Sequence, residues 1–200
     1  MALQFSVPIR NARANAIETT NGTSAILRVR TGAVPATCAT ADSGTALATM
    51  NLPVDYFTAA SAGSMPKLGT WQDAAADAAG TAAHFRLYDS AGTTCGLQGT
   101  CGQSVILATS ALTAANGNVL TFTATTGVVV GMNVSGVGVV ADTTVVAVSA
   151  TTVTLSHTST AGVASAASIT FAFDLPIDNA VIALNQLVTV NTFTINEANA

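Results

Sequence analysis

The chain has 200 residues and half of them are apolar, yet only 8% are charged, against about 25% in an ordinary globular chain. That length suits one large domain or two small ones with a substantial core, and so few ionisable groups leave little material for acid–base chemistry. The net charge of −4 is uneven: residues 1–30 hold Arg10, Arg13, Arg28 and Arg30 against Glu18 alone, while the remainder sets Lys67 and Arg86 against nine acids.

A basic end on an acidic body makes Arg10, Arg13, Arg28 and Arg30 a candidate docking face for another copy or an acidic partner. The alternative is four solvated arginines. No long basic run with interleaved aromatics points to nucleic acid. The start, "MALQFSVPIRNARANAIE", is not a secretion signal, because Arg10 and Arg13 interrupt it and no apolar stretch follows a basic start. The expectation is a protein made in the cytoplasm, in which the sequons at Asn21 and Asn133 carry no weight.

In chain order, the first element is a helix. Ser6 offers a cap, Pro8 suits the first turn, Ile9, Ala12, Arg13, Ala16 and Ile17 recur at mixed spacing of three and four, and Asn21-Gly22 stops it. "SAILRVRTG" alternates and predicts a strand with one polar face; "TALATMNLP" and "AHFRLYDSAGT" read similarly. Between them lies a stretch of small residues in which "WQDAAADAA" is either one or two helical turns or a strand-linking loop.

Composition shifts near Gln103. From there to Thr170 the only formal charge is Asp142, and "NVLTFTATTG", "MNVSGVGVV", "TTVVAVSATTVTLS" and "ASITFAF" predict four or five short strands separated by Gly, Asn or Ser. Near the end, Val188, Val190 and Ile195 of "LVTVNTFTI" frame one more. The stretch "TTGVVVGMNVSGVG", residues 125–138, reads as strand, turn, strand. Polar residues and four glycines interrupt it, where a bilayer span needs about 20 consecutive apolar residues, and its G-x-x-x-G has meaning only within a long apolar helix.

Motifs that carry chemistry are faint. "GVGVVA" (Gly136 to Ala141) fits a loose dinucleotide fingerprint, but a strand former follows it where a helix is required, so a glycine-bearing turn is the better reading. "SMPK" matches the S-x-x-K of acyl-transfer enzymes without their other elements. His84 and His157 stand far apart with no adjacent metal-binding or catalytic partner. Asp73 and Asp77 lack the register of a calcium loop. Three cysteines, Cys38, Cys95 and Cys101, argue against a disulfide framework and are expected as free thiols, although one pair, such as Cys38 with Cys95, could oxidise after release from a cell. Trp71, the single tryptophan, is expected to anchor a core or an interface. No cofactor and no metal site is expected.

The wording of the first hundred residues carries a resemblance. "ALQFSVPIRNARANAIETTNG" through "GTWQDAAADAAGTAAHFRLYDSAGTTCGLQGT", resumed by "DNAVIALNQLVTVNTFTINEANA", resembles small structural proteins of tailed bacteriophages and prophages, with their "NARLDAIE"-like helix, Trp-Gln-Asp loop and "HFRIYDS"-like strand. "LTFTATTGVVVGMNVSGVGVVADTTVVAVSATTVTLS" is similar to a short β module found in phage virion and appendage proteins, here inserted between two parts of the base. The expected architecture is therefore all-β: a β-sandwich-like base domain with a short N-terminal helix, residues 1–102 and 171–200, and a small all-β module, residues 103–170.

The resemblance implies a non-enzymatic virion protein assembled in the bacterial host cytoplasm. The first expectation is a capsid decoration or cement subunit, a homo-oligomer bound to the major capsid protein through its helix and base. A neck, collar or tail-appendage component is nearly as well supported. From another class, a carbohydrate- or receptor-binding β module would need a shallow aromatic cluster. An exposed edge strand of the module is expected to be able to add to a neighbour's sheet.

Overall fold

The computed structural model describes residues 4–197. Its single helix, α1 (Val7–Asn21), is followed by β1 (Ile26–Arg30), β2 (Ala46–Asn51), β3 (Ser64–Pro66), β4 (Trp71–Asp73), β5 (Gly80–Thr81), β6 (His84–Tyr88) and β7 (Cys95–Gly102). Next come β8 (Val105–Ala108), β9 (Val119–Thr121), β10 (Asn133–Gly136), β11 (Val145–Val148), β12 (Thr152–Leu155) and β13 (Ser168–Ala172). The last four are β14 (Leu175–Pro176), β15 (Val181–Ile182), β16 (Val188–Val190) and β17 (Thr194–Asn196). Apart from α1 the fold is all-β, as the short β-branched runs and turn residues predict.

Contacts divide the chain into two units, a base of residues 1–102 and 175–200 and a module of residues 103–174. Ending the module at 170 would cut through β13, whose Phe171 and Ala172 pair with Val134 and Asn133 of β10.

In the base, a five-stranded sheet runs β14-β7-β6-β1-β2, antiparallel except where β14 lies parallel to β7. The C-terminal segment then retraces the 64–81 stretch in reverse: β15 pairs with β5, β16 with β4 and β17 with β3. Where one strand is expected across "LVTVNTFTI" there are two. The break at residues 191–193 turns Phe193 into the core. On the inner face of the sheet, Leu27, Val29, Ala48, Met50, Phe85 and Leu87 pack with Met65, Trp71, Val188, Val190 and Phe193 from the short ribbons, the sandwich-like second layer. Each Val, Leu, Met or Phe among them contributes about 1.5–3 kcal/mol on burial. Tyr56, Phe57, Trp71, Phe85 and Phe193 form one aromatic cluster, with ring centroids 5.1 to 6.3 Å apart. Trp71 is thus a core residue. The stretch after Asp73 forms turns, which decides between the two readings of "WQDAAADAA".

Helix α1 docks in a way its apolar spacing does not predict. Ile9, Ala12 and Ala16 are exposed, and Ala14 is its one buried residue. Asn11, Asn15 and Glu18 share one face through their spacing of four and three. Asn11 Oδ1 accepts from Gly63 N–H at 2.7 Å, Asn15 Oδ1 from Ala60 N–H at 2.9 Å, and Glu18 Oε1 from Tyr56 N–H at 2.8 Å. The helix is a polar ladder for a segment whose backbone donors would otherwise lack partners. Ser6 occupies the N-cap position, but its hydroxyl makes no cap bond.

The module contains six strands in two three-stranded antiparallel sheets, β10-β13-β8 and β11-β12-β9. Bridges join their outer strands on both sides. At Thr109–Phe122, Ser110 N–H donates to Thr121 O at 2.8 Å; at Asn133–Thr144, Val134 N–H donates to Thr143 O at 2.8 Å. The two sheets enclose Leu120, Phe122, Met132, Val134, Val153, Leu155, Ile169 and Phe171, with the Phe122 and Phe171 rings edge to face at 5.6 Å. The "GVVVG" piece forms turns instead of a strand, with Val128 buried and Val129 and Val130 exposed.

Candidate functional site

Period-two alternation puts Arg28 and Arg30 of β1 on the face of the sheet opposite the core, beside His84, Arg86 and Tyr88 of β6, with Gln98 of β7 across from Arg86. A polar strand face normally meets water. Here β6 is buried on both faces, and Arg86 is only 1% exposed, because residues 31–45 lie over it.

These side chains take the backbone carbonyls of that loop in succession. His84 Nδ1 contacts Gly32 O at 3.1 Å, and Gln98 Nε2 donates to Pro35 O at 2.6 Å. Arg86 Nη2 donates to Cys38 O at 2.6 Å and Nη1 to Thr40 O at 3.0 Å. Arg30 Nε donates to Ser43 O at 2.9 Å and Nη2 to Gly44 O at 3.1 Å. Asp42, carried by the loop, answers with its carboxylate: it pairs with Arg30 at 3.1 Å and with Arg86, and accepts from the Tyr88 hydroxyl. Burial pushes the Asp42 carboxyl up, but the Tyr88 hydrogen bond and the charges of Arg30 and Arg86 outweigh it and hold the group below the usual carboxylate range. Burial, aided by the nearby arginine charges, lowers His84 despite its bond to Gly32, so the ring is neutral at neutral pH.

Beside this staple lies a recess of about 270 Å³ lined by Arg28, Cys38, Asp42, Arg86, Tyr88 and Cys95. The charged groups around it are already bound to protein. Arg86 uses its Nε on Cys95 Sγ at 3.2 Å as well, and Arg28 stacks over Tyr88 at 4.7 Å while donating to Gly92 O at 3.3 Å. His84 Nε2 is buried without a protein hydrogen-bond partner, and Nδ1 faces Gly32 O. The arrangement is built to hold a loop in place.

The four arginines named as a docking face fall into two groups. Arg30 belongs to the staple, and Arg28 lies beside it, stacked on Tyr88 and bonded to Gly92 O. Arg10 and Arg13 turn to the C-terminal segment: Arg10 Nε donates to Glu197 O at 2.7 Å and its Nη2 to Ala62 O, while Arg13 pairs with the Glu197 carboxylate at 3.0 Å. Among them Arg13 keeps the freest side chain, 50% exposed.

The other candidates are structural. Asp73 accepts from Thr49 N–H at 2.9 Å and Ala75 N–H at 3.0 Å, and Asp77 accepts from the Thr49 hydroxyl at 2.7 Å. Among the described residues no cluster of His, Cys, Asp and Glu is arranged to hold a metal. Lys67 Nζ donates to Gly69 O at 2.8 Å and lies over Trp71, bonds that serve a turn. His157 Nδ1 lies 3.2 Å from Ser156 Oγ on an exposed loop, where that hydroxyl already accepts from Thr144 N–H. "GVGVVA" is a turn: Gly138 has φ of 86°, and a Cβ there would stand 2.2 Å from Gly162 O. Among the described residues, no helix is long and apolar enough to cross a membrane.

Comparison with known proteins finds no matching family model, curated protein or solved structure.

Proposed function

We propose that the protein is a non-enzymatic structural component of a tailed-phage virion, in the first place a decoration or cement subunit on the outer surface of the capsid. The observation that carries this reading is the use made of its few charges. Over the outer face of the five-stranded sheet, Arg30, Arg86 and Tyr88 bind Asp42 and the arginines bind the loop that carries it, and Arg10 and Arg13 bind the C-terminal segment. What faces outward is a charge-poor surface with large apolar side chains, including Val181, Leu184 and Leu187 in the base and Ile106, Leu112, Val130 and Val137 in the module. Such a surface suits association by shape and apolar burial, at about 1,200–2,000 Å² for a stable interface. The partners are the major capsid protein and further copies of the chain, with assembly in the host cytoplasm.

A neck, collar or tail-appendage position fits the same surface. Sugar recognition is less well supported, since Tyr56, Phe57, Trp71, Phe85, Phe122, Phe171 and Phe193 are all in the two cores. Quantitative mass spectrometry of purified particles is the test. Hundreds of copies per particle place the protein on the head, and about a dozen place it at the neck or tail. Absence from purified particles would overturn the virion reading. For the arginine face, Arg13→Glu is the probe, because Arg13 has the most exposed side chain of the four and its loss costs a surface ion pair with Glu197, whereas reversing Arg10 breaks bonds to the backbone of Ala62 and Glu197. Incorporation should fall if Arg13 docks; undiminished incorporation would remove it from the interface.

A further inference from the structure

Cys38 enters the recess from the loop and Cys95 from the first residue of β7, and one edge of a single guanidinium holds both. Arg86 Nη2 donates to the Cys38 carbonyl at 2.6 Å and Nε to Cys95 Sγ at 3.2 Å. These two N–H groups belong to one rigid planar fork, so their acceptors are neighbours. Both residues are partly exposed and line the open recess, whereas Cys101 is buried and its thiol is pushed far up by desolvation.

The geometry points to Cys38 and Cys95 as a redox modification site, a dithiol that a small-molecule disulfide converts into an intramolecular disulfide, latching the 31–45 loop to β7. One thiolate attacks the external disulfide and displaces a small thiol. The second thiolate attacks the resulting mixed disulfide and displaces the other. The protein loses two protons and two electrons, and the external disulfide is reduced to two thiols. The reduced pair suits assembly in a reducing cytoplasm and the oxidised pair the medium outside the cell. The chemistry requires nothing of the virion reading: a protein with another role would close the same bond.

The test is incubation of the full chain with glutathione disulfide, followed by alkylation of the remaining thiols and peptide mapping without reduction. The expected product links the Cys38 and Cys95 peptides within one chain and leaves Cys101 to be alkylated only after unfolding. Closing this long loop restricts the unfolded chain, so the oxidised protein should melt about 10 °C higher than the reduced protein. That increment should vanish in Cys38→Ser and Cys95→Ser and survive in Cys101→Ser. Mapping the unmodified sequence needs no variant to fold. Separate glutathione adducts on Cys38 and Cys95, a cross-link between two chains, or two thiols still open to alkylation after oxidation would each overturn the proposal.

Discussion

Arg86 shows how much one buried cation organises. Four of its donor contacts reach Cys38, Thr40, Asp42 and Cys95, so Arg86→Met removes the centre of the staple, leaving the Cys38 and Thr40 carbonyls without this donor and Asp42 with Arg30 and Tyr88 alone. The expected loss is about 3 kcal/mol, the lower end of the range for breaking a buried pair, because the Asp42 side chain keeps 31% exposure and can be hydrated. Urea denaturation measures it, and a loss under about 0.5 kcal/mol, the scatter of an ordinary surface substitution, would mean the loop is held by something else. His84 adds a pH dependence. Its folded pKa lies below the unfolded value, so between the two the unfolded chain binds more protons and stability falls as pH drops from neutral through about 6.5. Asp42 has the same sign at lower pH: its contribution is present above the unfolded carboxylate value and is lost as pH falls through the depressed folded one. Melting temperatures from pH 8 to pH 5 should decline in the unmodified protein and flatten in His84→Gln; an unchanged slope in that variant would assign the titration elsewhere.

At the scale of elements, the polar ladder of α1 and the Gly138 turn of the module make separate predictions. Asn15→Ala leaves the Ala60 N–H without its acceptor and is expected to cost about 1–2 kcal/mol. Amide exchange at residues 56–63 should accelerate while the five-stranded sheet keeps its protection, and equal loosening throughout would contradict the ladder. In the module, Gly138→Ala forces a Cβ against the Gly162 carbonyl at a positive φ and should destabilise that unit by about 1–3 kcal/mol. Protease susceptibility of residues 103–174 reads the effect, and a fully resistant variant would show that the turn can rearrange.

For the whole molecule, the prediction concerns the insertion. In the base, Leu175 and Pro176 lie beside Cys101 and Gly102 in neighbouring strands, and in the module Val105 pairs with Phe171. In each unit the ends that connect to the other therefore sit side by side. Replacing residues 103–174 with a linker of three or four glycines and serines should leave a folded base, because adjacent strands are only about 4.8 Å apart. A cooperative melt with native-like tryptophan fluorescence from Trp71 would show this, and an unfolded product would make the module part of the base's folding unit. If the base is the docking part of a virion protein, the shortened chain also enters particles.

Local chemistry alone determined a good deal. The α1 boundaries follow from Pro8 and Asn21-Gly22. β1, β2 and β6 follow from alternation, and the Thr- and Val-rich composition after Gln103 announces a separate β unit. These are signals carried within about ten residues. Tertiary structure alone decided what lies across long separations. The glycine-rich "CGLQGTCG" becomes β7 because β6 offers it a full hydrogen-bonding edge, which no local propensity predicts. The C-terminal strands exist only as partners of β3, β4 and β5 more than a hundred residues earlier. The buried face of β6 is dry only because a loop with no regular structure of its own presents carbonyls to His84, Arg86 and Gln98. Backbone groups must find partners wherever the chain places them, and that requirement, unlike residue type or spacing, is written only in three dimensions.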